Sequence, residues 1–345
     1  MFGRMFGNRA MIQAEPGPII GPLSSFFGAI LDVLYNFAYA ITPTEAHTLG
    51  ISIIFLTLVA RILTFPLTYK SQKSMQAMQK VQPEMEKIKK KYENQKTADA
   101  QKQMGQEINK LYSQNGVNPL MGCLPLAIQM PIFMSLFYIM NQPYRFINRL
   151  GAIYNDLSES IISLFNLDAA GFPQSPEVLS LLQELSYGKI PTGMRIDFAV
   201  VEDLRKLLAR FSPEEWEIFM NGITPEAAAQ VQPFLESKMA TEYFLGMALV
   251  ENVGFSFPAI LIPLACVIFT FLTSYMNTRS QPKSADPSQR MQQTMMLVVM
   301  PAMMGVITFG MPAGVGLYWA TSNALQIVQQ HFTGKRTKKV KEEVV

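Results

Sequence analysis

The segment TLGISIIFLTLVARILTFPLTY, residues 48–69, decides the fold class of this chain. Its 22 residues are apolar or weakly polar, with the single exception of Arg61. A membrane-spanning helix needs about 20 consecutive, predominantly apolar residues. The segment therefore predicts a transmembrane helix that carries one charged side chain.

Three further stretches of the chain contain no Asp, Glu, Lys or Arg, and together they have room for four more spans. The last stretch, between Arg290 and Lys335, holds two spans joined by a turn. The predicted spans are 48–69, 120–141, 256–276, 291–310 and 313–331. Only 16% of the residues are charged, against about a quarter in soluble chains. We therefore predict an all-α polytopic membrane protein with a five-helix transmembrane core.

Lysine and arginine are concentrated in three segments that five spans place on one side of the membrane. They are the loop 70–115, the loop 277–290 and the tail 332–345. Because such residues favour the cytoplasmic side, we predict that the N-terminus lies outside a bacterial cytoplasmic membrane and the C-terminus inside. The loop 143–254 has eight basic and fifteen acidic residues and is predicted to be extracytoplasmic.

Both long loops have helical patterns. The loop 70–115 predicts an antiparallel helical hairpin in the cytoplasm. The loop 143–254 predicts a folded helical insert, because Ser or Thr, Pro and Glu follow one another at 175–177, 212–214 and 224–226. Ser or Thr caps a helix, Pro fits its first turn and Glu complements its dipole.

The N-terminal segment 1–46 contains a second kind of apolar helix, at 22–41, and no clean signal peptide. Ser25, Asp32 and Asn36 share one face of this helix, which suits a helix lying in the membrane interface. The alternative is a sixth span, which would put the N-terminus inside.

Arg61 lies nine residues before Lys70, so a straight helix places it about 13 Å below the cytoplasmic end of the span. A charge at that depth is costly unless it is paired or hydrated. The other four predicted spans contain no Asp or Glu. We therefore interpret Arg61 as a single unpaired arginine, without an acidic partner, in a water-filled groove with neutral hydrogen-bond partners.

Polar residues recur at helical spacing in the first and last spans, and one glutamine lies in the middle of the second. The candidate substrate-binding groove consists of Thr57, Arg61, Thr64, Gln129, Trp319, Asn323 and Gln326. Steps of three and four residues place the members of each span on one helical face. Thr and Asn also join helices in membranes, which is the alternative interpretation of the threonines.

The sequence has no catalytic or cofactor motif. Its two histidines and two cysteines, among them Cys123 and Cys266, have no metal-ligand spacing. We expect no enzyme activity, no cofactor, no metal and no direct binding of nucleic acid. A small-solute transporter or channel is the alternative function, but it would need paired ionisable groups or an internal repeat. No carboxylate lies inside any span, and the two halves do not repeat.

Three motifs resemble the core helices of the YidC family of membrane protein insertases. They are ARILTFPLT at 60–68, NGVNPLMGCLP with QMPIF at 115–125 and 129–133, and MPAGVGLYWATSN at 311–323. The resemblance covers about 20–142 and 255–332.

The resemblance implies five helices around a hydrophilic groove that is open to the cytoplasm and to lipid and closed to the outside. It places Thr57, Arg61, Gln129 and Trp319 in this groove. The implied function is to insert and fold nascent membrane proteins in the lipid bilayer, with the ribosome, the signal recognition particle receptor and the Sec translocon as candidate partners. It also implies an interfacial helix at 22–41. The family usually has a short connection where 143–254 stands here, so the role of the insert is open.

Overall fold

The computed structural model describes residues 17–42, 46–95, 97–118, 121, 124–164, 176–187, 197–198, 200–255, 257–278 and 287–342. Parts of the predicted segment 1–46, the insert 143–254, the loop 277–290 and the tail lie outside the described residues, and so does Cys123. Nearly all of the described residues are helical, and the predicted all-α class is confirmed.

Thirteen helices are present in the part of the chain that the structure describes. They are α1 Ile20–Ile41, α2 Thr48–Tyr92, α3 Ala98–Gln114, α4 Leu124–Asn141, α5 Asn148–Leu164, α6 Pro176–Ser186, α7 Val201–Leu208, α8 Pro213–Asn221, α9 Pro225–Glu242, α10 Leu261–Thr278, α11 Pro287–Thr294, α12 Met300–Thr308 and α13 Ala313–Glu342. A π-helical turn, Met295–Val299, joins α11 to α12. The prediction missed one antiparallel β-hairpin, β1 Tyr243–Phe244 with β2 Met247–Ala248.

The chain forms two compact units. The first comprises residues 1–56, 133–262 and 307–318, and the second comprises 57–132, 263–306 and 319–345. Several helices contribute to both units. Residues 48–56 of α2, for example, belong to the first unit, and the rest of α2 belongs to the second.

Within the residues that the structure describes, three helical segments are long and apolar enough to cross a membrane, namely Ile20–Ile41, Thr48–Met78 and Leu261–Thr278. Ala127–Asn141 and Met295–Thr308 are apolar but shorter. By length and composition, therefore, α1 has the properties of a span, although the sequence predicts an interfacial helix there. The second of these segments belongs to α2. This helix continues without a break past residue 69, where the sequence predicts the end of the span, and forms the first arm of the predicted cytoplasmic helical hairpin.

In the first unit, the insert packs around a core of apolar side chains from α5 to α9. Its fully buried members include Leu157, Ile161, Leu182, Leu204, Leu208, Phe219 and Val231. The three helix starts predicted from the Pro-Glu pairs are confirmed, because α6, α8 and α9 each begin at the proline. These starts are local signals that need no information about the rest of the fold.

The first unit also contains a dry core made by the membrane helices. Leu49 and Ile53 of α2, Met140 of α4 and Val315 of α13 are each at most 1% exposed. A Cβ atom at Gly314 would lie 2.7 Å from the Met140 sulfur and 3.1 Å from the Ile53 Cδ1 atom. Only glycine therefore permits this close approach of α13 to α2 and α4.

In the second unit, the end of α2 and helix α3 form the helical hairpin that the sequence predicts to be cytoplasmic. A small cluster around Val81, Leu111 and Val117 joins its two arms. Near the tip, Lys91 Nζ lies 2.7 Å from Glu107 Oε1. The hydrogen bond from Lys91 lowers the pKa of Glu107, and a second hydrogen bond from Tyr92 contributes to the same shift. These exposed contacts stabilise the hairpin weakly.

Ser212 provides a test of how the insert helices are fixed. It forms a complete capping box with Glu215 at the start of α8. We expect Ser212→Ala to cost about 1 kcal/mol locally, which corresponds to a roughly fivefold faster hydrogen exchange of the first-turn amides of α8. The measurement is hydrogen–deuterium exchange on the full chain.

Ser163→Ala is the control, because the Ser163 hydroxyl only donates to the Ser160 carbonyl of its own helix. Exchange in α8 should be unchanged in this variant. Equal exchange rates in Ser212→Ala and in the unsubstituted chain would mean that the capping box does not hold α8 in place.

Candidate functional site

Arg61 connects α2 to α13 within the second unit. Its Nε atom donates a hydrogen bond to Ser322 Oγ at 2.9 Å, and its Nη2 atom donates to Gln326 Oε1 at 3.1 Å. Ser322 and Gln326 are one helical turn apart, so both oxygens lie on the same face of α13. The guanidinium fork, with its several donors in a fixed plane, suits two acceptors in this arrangement.

The description of Arg61 as unpaired is therefore wrong. Two neutral side chains of another helix accept its hydrogen bonds, in agreement with the expectation of neutral partners. Neutral acceptors satisfy the N–H groups without cancelling the positive charge. Arg61 is half-buried, whereas Ser322 is almost fully buried.

A second polar contact joins α13 to α10. Thr270 Oγ1 accepts hydrogen bonds from Asn323 Nδ2 at 2.9 Å and from Trp319 Nε1 at 3.3 Å. Farther along both helices, Gln330 Nε2 donates to Asn277 Oδ1 at 3.0 Å. We call these three hydrogen bonds the α10–α13 seam. One polar stripe of α13 thus contacts both neighbours, α2 through Ser322 and Gln326, and α10 through Trp319, Asn323 and Gln330.

The remaining predicted residues have other surroundings. The Thr64 hydroxyl donates to the Ala60 carbonyl of its own helix at 2.8 Å. Thr57 is fully buried, and Gln129 on α4 is half-buried. Of the seven predicted groove residues, the structure therefore joins Arg61 to Gln326, and it gathers Trp319 and Asn323 on Thr270.

Four residues of these contacts are not among the seven predicted groove residues, namely Ser322, Thr270, Asn277 and Gln330. Ser322 lies one turn before Gln326 and next to Asn323, so the helical spacing could have identified it. Thr270 belongs to a polar stripe of its span, but threonine also joins helices in membranes, and here it does so. A short hydroxyl side chain gives a weaker sequence signal than a glutamine or an arginine.

Among the described residues, no group of three or more His, Cys, Asp or Glu side chains could hold a metal ion. The polar groups of the site are amides, hydroxyls, an indole and a guanidinium. These groups donate and accept hydrogen bonds, and the guanidinium adds one fixed positive charge. Such a site is suited to attracting polar segments of a chain.

Comparison with known proteins identifies the family of this chain. The sequence model of the family described as 60Kd inner membrane protein matches residues 41–187 and 212–341, which is most of the chain. The chain belongs to this family, the YidC family. Its match includes α2, α4, α10, α12 and α13, the helices that carry or surround the Arg61 contacts.

Several proteins named membrane protein insertase YidC are similar to this YidC-family chain. The Oceanobacillus iheyensis protein is 27% identical over 81% of this chain and 72% of its own length. The corresponding figures for the Lactococcus lactis YidC 1 are 27%, 86% and 72%. The Fusobacterium nucleatum protein is 27% identical over 89% of this chain and 98% of its own length. These names describe insertases and no catalytic reaction, as expected, and they support a multi-pass protein of the cell membrane.

The α10–α13 seam of this YidC-family chain generates a prediction about Thr270. Thr270→Val keeps the shape of the side chain but removes the oxygen that Trp319 and Asn323 share. We expect a loss of about 1–2 kcal/mol, because two partly buried donors lose their acceptor. The measurement is the midpoint of thermal unfolding in detergent.

Thr273→Val is a matched control. Thr273 is as buried as Thr270, but its hydroxyl donates to the Phe269 carbonyl within α10. We expect this variant to unfold within about 0.5 kcal/mol of the unsubstituted chain, as an ordinary neutral substitution does. Equal effects of the two valines would contradict a special role of Thr270 in joining the helices.

Proposed function

We propose that this chain is an insertase, which inserts and folds nascent membrane proteins in the bacterial cytoplasmic membrane. The observation that carries the proposal is Arg61, a cation deep in a span that is held by the neutral oxygens of Ser322 and Gln326. Hydrogen bonds to neutral oxygens hold the guanidinium in place and leave its positive charge unchanged. The relatives named as insertases support the same function.

The second unit supplies a polar surface for the substrate in this proposal. Arg61 attracts a carboxylate or carbonyl of the incoming polar segment, because charged hydrogen bonds are stronger than neutral ones. Water between α2, α4 and α13 lowers the free energy of bringing that segment partway into the membrane. The groove residues Thr57, Thr64, Gln129, Trp319, Asn323 and Gln326 take part as hydrogen-bonding neighbours of this path.

The free energy of insertion then comes from the apolar segment of the substrate. Lipid is the most favourable place for an apolar helix whose backbone groups are satisfied internally. The membrane potential also acts on charged segments that cross. Since the α10–α13 seam joins α10 and α13 by three hydrogen bonds, we propose that the apolar segment reaches lipid without separating these two helices.

We also propose that α1 lies in the outer membrane interface. The Asp32 carboxylate accepts hydrogen bonds from the backbone nitrogen of Asn148 at 2.9 Å and from its side chain at 2.7 Å. The Arg149 guanidinium lies 3.6 Å from the centre of the Tyr39 ring. Both partners open the insert, so a spanning α1 would bring the start of α5 to the middle of the bilayer.

The exposed surface of α1 fits this placement. One apolar stripe at helical spacing is exposed, formed by Phe26, Val33, Phe37 and Ile41. The opposite apolar face is buried against the first unit, with Leu31 and Tyr35 fully covered. A helix between protein and lipid headgroups has such surfaces. With α1 in the outer interface, the charge bias of the loops favours an N-terminus outside and a helical hairpin inside the cell. We propose this hairpin as the candidate contact for the ribosome, the signal recognition particle receptor or the Sec translocon.

The proposed groove predicts one-sided access to water. Cysteines placed singly at Gln129 and Gln326, in a chain whose two native cysteines are replaced by serine, should react with a membrane-impermeant maleimide from the cytoplasmic side. A cysteine at Leu136, which is 1% exposed in the first unit, is the control and should react from neither side. If positions 129 and 326 were both inert from either side, there would be no hydrated groove.

The charge of Arg61 predicts a dependence on the substrate. A charge-assisted hydrogen bond contributes about 1.5–3 kcal/mol, so Arg61→Ala should lower insertion of a substrate with acidic translocated residues roughly tenfold or more. Arg61→Lys should retain much of the activity, since it keeps the charge. The measurement is the insertion yield of one substrate with its translocated acids intact and with them neutralised.

Thr273→Val serves as the control, because the Thr273 hydroxyl is bonded to the Phe269 carbonyl of its own helix and Thr273 is not one of the proposed groove residues. It should insert both substrate versions normally. Equal losses for both versions in Arg61→Ala would exclude direct attraction of charge and favour a general hydrating role for Arg61.

A further inference from the structure

The segment 249–253, which ends the insert, lies along the turn between α12 and α13. We call it the strap. Ala313 N donates to the Glu251 carbonyl and Gly314 N to the Leu249 carbonyl, both at 2.7 Å, and Val253 N donates to the Met311 carbonyl at 3.1 Å. The first N–H groups of a helix have no partner within the helix. The strap therefore satisfies two of these groups at the start of α13.

The contact between the strap and α13 is also tightly packed. Leu249 is fully buried and Val253 is 4% exposed. A Cβ atom at Gly314 would lie 3.1 Å from the Leu249 carbonyl oxygen and 2.7 Å from the Met140 sulfur. The strap, α4 and the first turn of α13 thus leave no room for a side chain at position 314.

The β-hairpin just before the strap holds the start of α2 in a similar way. His47 N donates to the Tyr243 carbonyl at 3.3 Å, and Leu245 N donates to His47 Nδ1 at 3.2 Å. The Phe244 ring fills the space above Gly50, where a Cβ atom would lie only 2.2 Å from it. Residues 243–253 therefore contact the first residues of α2 and of α13 at the same time.

A buried polar network fixes these residues to the helices of the insert. The Glu242 carboxylate accepts hydrogen bonds from Tyr154 Oη and from Lys238 Nζ, the latter at 2.8 Å. Lys238 and Glu242 are 3% and 1% exposed. Lys238 and Glu242 lie one turn apart on α9, so the hydrogen bond from Tyr154 is the one that joins the end of α9 to α5. The Glu242 carbonyl in turn accepts from Leu249 N at 2.9 Å, which links the network to the strap.

We propose that the insert 143–254 is a clamp, which holds the outer ends of α2 and α13 together through residues 243–253 and keeps that end of the helix bundle closed. The clamp keeps the apolar side chains around Leu49, Ile53 and Val315 packed together. The same two helices carry Arg61 and Ser322 farther along, 11 residues after Gly50 and 8 residues after Gly314. Closure is a property of the first unit and does not depend on the proposed groove.

The first test measures ion leakage through the full chain in proteoliposomes. Gly314→Val places a branched side chain against the strap carbonyl and should raise ion leakage at least several-fold. Gly105→Val is the control, because a Cβ atom at Gly105 meets nothing within 4 Å. Leakage equal to that of the unsubstituted chain in a correctly folded Gly314→Val protein would overturn the clamp.

The second test locks the strap in place and does not depend on the folding of the valine variant. Asn252 and Pro312 are direct partners in an antiparallel bridge, a spacing that suits a disulfide. A cysteine pair at these positions, without the native cysteines, should insert substrates equally well when oxidised and when reduced. The single cysteine at 252 is the control for the oxidant.

Loss of insertion on oxidation of the pair, restored by a reductant, would mean that the strap must open, and the clamp would be wrong. Failure of the proposed function looks different. A chain that never inserts substrates, even with Arg61 intact and with low leakage, would contradict the insertase and leave the clamp in place.

Discussion

A polar group inside a membrane must find its partner within the protein, because hydrocarbon offers none. This constraint is strict for Arg61. Its full charge lies about 13 Å along the helix from Lys70, which marks the predicted end of the span. Ser322 and Gln326 meet the constraint from a helix that begins more than 250 residues later in the sequence. The position of α13 beside α2 follows from that requirement. The same polar stripe of α13 meets α10, with Thr270 as the acceptor for Trp319 and Asn323.

The same constraint governs the other end of α13. Its first N–H groups must also be bonded, and the backbone of the strap supplies the carbonyls. In the first unit the partners are thus backbone groups, backed by a buried ion pair and a dry apolar core. In the second unit they are side chains with neutral oxygens and one cation. The two units therefore satisfy their polar groups with different chemistry, and this difference supports the clamp and the substrate surface that we propose.

Features that depend on near neighbours could be predicted from the sequence, and features that depend on distant partners could not. The apolar stretch around Arg61 and the proline starts of α6, α8 and α9 are local, and both predictions agree with the structure. Asp32 is different, because its partner Asn148 is 116 residues away and has no distinctive pattern. Arg61 and Ser322 are 261 residues apart, and a single sequence gives no sign that they are in contact. Periodicity identified which face of α13 is polar, but not which neighbouring helix each polar residue contacts.

The type of hydrogen-bond acceptor also explains how, under the proposed function, one protein can be rigid at the start of α13 and still exchange hydrogen bonds with a substrate at Arg61. A hydrogen bond that involves a charged group contributes about 1.5–3 kcal/mol, and a carboxylate acceptor makes it stronger than a neutral amide oxygen does. Under the proposed function, Arg61 therefore exchanges Gln326 for the carboxylate of a substrate, while water or the substrate satisfies the glutamine. The N–H groups of Ala313 and Gly314 have no such alternative in a dry core, where an unmade bond costs the full desolvation of the group. Under the proposed function, the neutral side-chain acceptors of Arg61 allow its hydrogen bonds to be exchanged with a substrate. The backbone acceptors at the start of α13 instead keep their hydrogen bonds permanently.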